Sequence, residues 1–474
     1  MNIKRKFNAI NEHIEILESI NEEQCILLTD KQNDYKYCLL RKKNKLIMKR
    51  RVRENEIFDY DNIHLLTLNQ NTFLDKDNDT ILITESFWDS SSPHFISFNI
   101  YRFQSQNFQN KNYFQLIFKS DKKFPRLDIV FDNLINVSTE KNRYPFSGLT
   151  FTVKNIRFNL YFINQKFIIE NIDNINFNEF NDYSRIILLS FGFLFGYVPR
   201  GEGYYFAYES NDFEEFCDYA YSDRFIDTYQ TSFKPIDTIS HYSFIPSNCS
   251  DLKRQELTNK YEENLILISE KTFSTLCNLC LIERKILRAV ELIMEGNQTT
   301  VEAQGIVYSV VLELLTSYIS SDKKSKSIKP IEDKGIAKNL KKELHSVAEK
   351  YLDDYKNSAI KSKIDNINTP TNRDKLTKPF DLLNIPLKEI DKKIINHRND
   401  FLHGNDFIKE DTFLDFAREH IYINYKLHFL IHALLLKLIG HHGKIRNIVK
   451  IYAIDSCTRC NEEEVYRDIG GIYE

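Results

Sequence analysis

The chain is predicted to be an α+β protein, a β-rich N-terminal domain followed by an all-α helical bundle. Three observations predict it. From roughly residue 20 to 210, aromatic and β-branched residues alternate with polar ones, as in Phe95-Ile96-Ser97-Phe98-Asn99-Ile100-Tyr101. That period of two suits antiparallel strands with one face in a core. After about residue 250, apolar residues recur at helical spacing instead. The 474 residues are 42% hydrophobic, with 35 Phe and 26 Tyr, which suggests two or more domains rather than one core. The expected organisation is a β-rich domain over 1-245, a helical domain over 246-445 and a C-terminal tail over 446-474.

The candidate strands are Cys25–Thr29, Tyr35–Leu40, Lys45–Arg50, Ile81–Glu85, His94–Phe103, Tyr113–Phe118, Leu127–Phe131, Gly148–Val153, Arg157–Phe162 and Phe167–Glu170, separated by Asn, Asp, Ser and Lys clusters. Asn181 to Tyr197 reads as a buried helix or a strand pair, and periodicity does not decide. Leu276, Leu279, Cys280, Ile286, Leu287, Val290 and Ile293 fall on one helical face that Gly296 ends. Thr299 with Glu302 fits a capping box for a helix carrying Val307, Val311, Leu314 and Leu315. Ile336, Leu340, Leu344, Val347 and Tyr351 mark another helix. Residues 358 to 379, polar with Pro370 and Pro379, read as a loop. Pro386 suits the first turn of the next helix. Asp411 or Thr412 suits the cap of a long final helix that stops at Gly440.

The net charge of -3 and a pI near 6.5 argue against a general basic coat, so any nucleic-acid contact is expected to be local. No apolar run follows Met1, so no signal peptide is expected. Ile186–Val198 and Leu427–Ile439 are too short or too interrupted for a span of ~20 residues. Eight Cys are sparse for this length, as expected of reduced thiols in the cytoplasm.

The chemistry-bearing segment is Arg398-Asn399-Asp400-Phe401-Leu402-His403. Arg398 follows Ile394 by four and precedes Phe401 by three, so it falls on an apolar face, where a guanidinium needs a partner or a function. Gly404 follows His403 directly, which places His403 in the last helical turn, where the helix dipole favours imidazolium. These residue types suit RNA cleavage without metal. His removes a proton from the ribose 2′-hydroxyl, and Arg stabilises the charge of the crowded phosphorane. The products would be a 2′,3′-cyclic phosphate and a 5′-hydroxyl. In one straight helix, residues five apart differ by about 140° in direction. Either the helix distorts near Gly404 or a second subunit completes the site. The competing reading pairs Arg398 with a buried carboxylate such as Glu313 and leaves His403 as a helix cap.

The segment Asn396-His397-Arg398-Asn399-Asp400-Phe401-Leu402-His403-Gly404-Asn405 resembles the HEPN signature of Arg, polar residue, variable residues and His. Val310-Val311-Leu312-Glu313-Leu314-Leu315 resembles the ApeA-like HEPN subgroup. The β-rich half, ending in Leu188-Leu189-Ser190-Phe191-Gly192-Phe193-Leu194-Phe195-Gly196-Tyr197, is similar in layout to the ApeA N-terminal domain. The HEPN resemblance covers roughly residues 260 to 440. It implies a metal-independent endoribonuclease with catalytic Arg398, His403 and Asn399, facing its copy in a homodimer. It further implies a cytoplasmic toxin or abortive-infection effector against phage that cuts tRNA or other RNA, without a membrane. A β-rich domain in such a protein would sense a trigger, a phage product among the candidates. Some HEPN proteins carry a Tyr two residues after the His; here that position is Asn405, so no role of that Tyr carries over. The alternative is a non-catalytic HEPN scaffold that binds RNA, nucleotide or a protein partner.

Other constellations have plainer readings beside sharper ones. Cys277-Asn278-Leu279-Cys280 and Cys457-Thr458-Arg459-Cys460 could together hold a structural zinc, or be ordinary thiols. His428 and His432 share a spacing that suits a metal, but no Glu adjoins them in the metalloprotease pattern. Arg41-Lys42-Lys43-Asn44-Lys45 and Lys49-Arg50-Arg51-Val52-Arg53 form the densest basic region, either a phosphate-binding hairpin or a solvated edge. Pro199-Arg200-Gly201-Glu202-Gly203 reads as a turn only, because no P-loop lysine follows.

Overall fold

A computed structural model of the chain describes residues 2–5, 7–20, 23, 26–30, 36–42, 45–51, 64–70, 81–91, 95–119, 127, 130–139, 146–163, 165–198, 201–225, 233–236, 249–262, 267–321, 329–357, 359–403, 413–452 and 464–470. It is a mixed α+β protein with a large N-terminal sheet and a C-terminal helical region, divided into two compact units.

The first unit contains β1 (Asn2–Arg5), α1 (Asn8–Ser19), β2 (Ile26–Asp30), β3 (Lys36–Lys42), β4 (Lys45–Arg51), β5 (His64–Gln70), β6 (Ile81–Ser91), β7 (Phe95–Ser105), β8 (Tyr113–Lys119), β9 (Leu134–Thr139), β10 (Phe146–Val153), β11 (Ile156–Ile163), β12 (Lys166–Asn171), α2 (Phe177–Phe195), β13 (Gly201–Tyr208) and β14 (Asp218–Phe225). The chain then enters the second unit for α3 (Asp251–Glu262) and returns to the first for α4 (Glu270–Ile282). The strand order is β1-β9-β10-β11-β12-β8-β13-β14-β7-β4-β3-β2-β5-β6, and β6 pairs back onto β7. That return closes β7, β4, β3, β2, β5 and β6 into a six-stranded ring. Closure removes the free edges that invite aggregation. Among the described strands, all pairings are antiparallel except β1 with β9.

Two helices cover opposite faces of the open part of this sheet. Ile10, Ile14 and Leu17 of α1 join Ile117, Tyr161, Ile168, Tyr204 and Phe206 in one core. On the other face, Phe180 of α2 lies 5.3 Å from Phe114, and Phe191 lies 5.0 Å from Phe167. Phe167 and Ile168 are chain neighbours on opposite faces, as a pleated strand requires. Asn176 caps α2 by accepting the Glu179 N–H at 3.0 Å, and Gly196 ends it in the left-handed region at φ 68°. Helix α4 packs Phe273 against Phe151 at 4.8 Å.

The second unit contains α5 (Arg284–Gly296), α6 (Val301–Ser321), α7 (Lys334–Tyr351), α8 (Ala359–Asp365), α9 (Asn372–Leu382), α10 (Glu389–His403), α11 (Phe413–Leu438), β15 (Lys444–Arg446), α12 (Ile448–Tyr452) and β16 (Tyr466–Asp468). Helix α6 is its axis and packs against α5, α9, α10 and α11. Among the described residues, α6 alone is long and apolar enough to cross a membrane. Its buried Tyr308, Val311, Leu312, Leu315 and Ile319 account for that apolarity as helix–helix packing.

The differences from the sequence expectations have local causes. Leu276 to Ile293 is not one helix. It breaks between Ile282 and Arg284, and α4 belongs to the first unit while α5 belongs to the second. The division of the chain therefore does not fall at residue 245. Of the expected strand Leu127–Phe131, residues 128 and 129 lie outside the described residues, Leu127 and Val130 are not in a strand, and Phe131 makes a single parallel bridge to Ile268. The stretch 358 to 379 carries α8 and the start of α9. Thr371 and Asp374 form a reciprocal capping box for α9, which tolerates Pro379 inside it. Thr300, not Thr299, caps α6 by accepting the Ala303 N–H at 3.4 Å. Helix α10 starts at Glu389, three residues after Pro386. The final helix does stop before Gly440, which sits at φ 82°. Asp411 and Thr412 lie outside the described residues. The tail is part of the second unit, where β16 pairs with β15. Cys38 is disulfide-bonded, which departs from the expectation of reduced thiols. Cys217, Cys249, Cys277 and Cys280 are free.

Candidate active site

Arg398, Asn399 and His403 all lie on α10, and His403 is its last residue. The backbone of residues 397–403 is described and their side chains are not. The helix is continuous from Glu389 to His403. Among its described side chains, Asp391, Ile394 and Ile395 are buried. Arg398 continues that register at four and three residues beyond the two isoleucines. His403 stands about 140° around the helix from Arg398, and about 7.5 Å along it. Glu313 is exposed on α6.

What holds α10 is a charge cluster that sequence reasoning missed. Asp391 is fully buried, as is Lys426 of α11, whose Nζ lies 2.8 Å from Asp391 Oδ1. Arg467 of β16 bonds the other carboxylate oxygen and also donates to the Pro386 carbonyl at 2.9 Å. Its guanidinium lies over the Phe429 ring at 4.9 Å. Asp391 also accepts the Lys388 N–H at 2.9 Å, which caps the helix start. Burial opposes the Asp391 charge, but Arg467 and Lys426 outweigh it and hold its pKa below the usual carboxylate value. The signal in the sequence was a lysine inside the apolar run of α11.

His428 and His432 are buried on α11 with ring centroids 3.8 Å apart. His432 Nδ1 lies 2.8 Å from the His428 carbonyl oxygen. Tyr308 and Phe233 meet the His428 ring edge-on at 5.2 and 5.4 Å. Burial pushes both imidazoles down, His432 to about 3, so they are neutral core residues. Among the described residues, no group of three or more His, Cys, Asp or Glu is placed to hold a metal ion.

Cys277 and Cys280 are buried in the face that α4 turns into the first unit. Burial pushes the Cys277 thiol up, with a bond from Ser190 opposing it. Between them, Asn278 extends strand β10. It accepts the Lys154 N–H at 2.8 Å and donates to the Thr152 carbonyl at 3.3 Å. Cys457 and Cys460 lie outside the described residues.

Gly201 to Gly203 is not a turn but the start of β13. Glu202 there accepts from Arg41 and from the Tyr204 and Tyr221 hydroxyls at 2.7 and 2.9 Å. Against known proteins, the chain matches no family model, no curated protein and no solved structure.

Proposed function

We propose that the chain is a metal-independent endoribonuclease of the HEPN type whose active site is completed by a second copy of itself. The observation that supports this most is the continuity of α10 through Arg398 and His403. With about 140° between them, one helix directs its Arg and His to different sides, and two facing helices supply both to one cleft. In this reading His403, at a helix C-terminus that favours its charged form, exchanges protons with the ribose and the leaving oxygen. Arg398 stabilises the phosphorane, and Asn399 orients one of them. The buried Asp391 cluster fixes the helix that carries them. RNA, tRNA foremost, is the substrate, and growth arrest during phage infection is the biological outcome. The sheet unit is the sensor, with a phage product as its trigger.

The test is incubation of the purified chain with total tRNA in EDTA, followed by mapping of the ends. Cyclic-phosphate ends are expected, and Arg398→Ala and His403→Ala should each lower the rate by roughly 10²- to 10⁴-fold. Intact RNA that still binds would favour the non-catalytic scaffold.

A further inference from the structure

Residues 464–470 run back past the end of α11 as a strap. Its middle is β16, which pairs with β15 from Arg446↔Tyr466 to Lys444↔Asp468. Backbone bonds extend the ladder at both ends. The Asn447 N–H donates to the Val465 carbonyl and the Ile469 N–H to the Gly443 carbonyl, each at 2.8 Å. Lys437, in the last turn of α11, donates to the Gly470 carbonyl at 2.9 Å. Arg467 and Ile469, two apart on one face of the strap, are both buried. The strap meets the start of α10 at three points. Arg467 bonds Asp391 and donates to the Pro386 carbonyl at 2.9 Å. Farther along, Gly470 stands so close to Asn384 that an added Cβ would overlap the Asn384 carbonyl oxygen. Both residues are left-handed, Asn384 at φ 55° and Gly470 at φ 90°. Asn tolerates that conformation better than most side chains, and Gly adopts it freely. The turn before α10 and the end of the strap therefore fit one another through two unusual backbone conformations.

We propose that the strap is a latch on α10: seated, it holds the start of the helix against α11; lifted, it frees that helix. One side chain joins the three elements concerned. Arg467 meets Asp391 of α10, the Pro386 carbonyl before it and the Phe429 ring of α11. Lys426 of α11 pairs with the same carboxylate independently of the strap. Lifting the strap therefore leaves Asp391 with one cation and carries Arg467 toward water, so neither state strands a buried charge. What the lifted state loses is the grip on Pro386 and Asn384, the residues that set where α10 begins. A contact that can break without orphaning a charge is suited to a two-state element. The effect of the latch on cleavage rests on the reading that α10 carries the active site; the latch itself does not.

The experiment is hydrogen exchange of the full chain, read peptide by peptide, with tRNA cleavage measured on the same samples. Gly470→Ala changes no residue of α10, yet it should speed exchange of the α10 amides by roughly 10-fold and slow cleavage, while α5 and α6 keep their rates. Arg467→Met should do the same. Arg467→Lys, which keeps the charge but not the planar fork, should fall between Arg467→Met and the unmutated chain. The chain carrying both Gly470→Ala and Arg467→Met should exchange no faster in α10 than the faster single variant, because each opens the same latch. Three results would overturn the proposal. One is faster exchange of the strap in Gly470→Ala with α10 unmoved. Another is acceleration spread evenly over α5, α6 and α11, which marks plain loss of stability. The third is full additivity in the double variant. Intact tRNA with the unmutated chain would sink the ribonuclease reading alone, since the exchange measurements still decide the latch.

Discussion

The two units bury polar groups in opposite ways. In the sheet unit, Glu170 is fully buried, and neutral donors surround it: Gln115 Nε2 at 3.0 Å, Tyr161 Oη at 2.7 Å and Asn159 Nδ2 at 2.8 Å. Tyr208 extends the network by donating to Gln115 at 3.1 Å. Facing strands bring amide and hydroxyl side chains side by side, so a buried carboxylate finds hydrogen bonds from its neighbours in register. In the helical unit, Asp391 is matched by the full charges of Lys426 and Arg467, and among the described residues four imidazoles, His420, His428, His432 and His441, are buried. Helices satisfy their own backbones and offer fewer side-chain donors at a contact. The sheet unit also holds the Arg41–Glu202 ion pair, but its buried Glu170 meets neutral donors, whereas Asp391 of the helical unit meets two cations.

The largest expected effect follows from that pairing. Asp391→Ala leaves Lys426 buried without its carboxylate and should cost about 3–5 kcal/mol of the helical unit's stability. Urea denaturation followed by hydrogen exchange of α10 and α11 checks it. A loss confined to a few tenths of a kcal/mol would mean the cluster relaxes to water.

Acid is the next test of the contrast. Burial lowers the pKa of His432 to about 3, of His441 to about 4 and of His428 well below its ordinary value. Their folded forms stay neutral while the unfolded chain binds protons below about pH 6.5. Stability from these groups is therefore complete above that pH and is lost as pH falls toward 4, at about 1.4 kcal/mol per pH unit for each. Among the described residues, the sheet unit has one such group, His13, at about 3. Hydrogen exchange from pH 7 to 5 should open α11 before β8 and β12; equal opening would erase the difference between the units.

The smallest effects come from two close approaches. An added Cβ at Gly296 would stand 2.7 Å from Tyr308 Cε1, and one at Gly148 would stand 2.9 Å from Val137 Cγ2. Each Gly→Ala change should cost about 1–3 kcal/mol as overpacking. The first should also speed exchange near His428, because Tyr308 lies against that ring.

How much of this was legible follows the same contrast. The central strands β7, β8, β11 and β12 were readable because one face meets a core and alternation records it. β13 was not, because Gly201 and Gly203 imitate a turn and only the neighbours β8 and β14 make them a strand. β5, β9 and α1 were missed as well; their pattern is too short or too polar to stand out against the Asn-rich sequence around them. The break between α4 and α5 leaves no trace in spacing, since both helices keep their apolar residues in phase. For the candidate site, the motif and its helix were legible, but the anchor was not. Asp391, Lys426 and Arg467 are far apart in sequence and meet only through the fold.

The central claim is that Arg398 of one copy works with His403 of another. Complementation tests it most directly. Arg398→Ala and His403→Ala chains, each inactive alone, are unfolded together, refolded as a mixture and given tRNA in EDTA. The account predicts that cleavage returns to a substantial fraction of the unmutated level, because mixed pairs regain one intact site, and that the new ends are cyclic phosphates. A mixture as inactive as its components, beside an active unmutated chain, would contradict it.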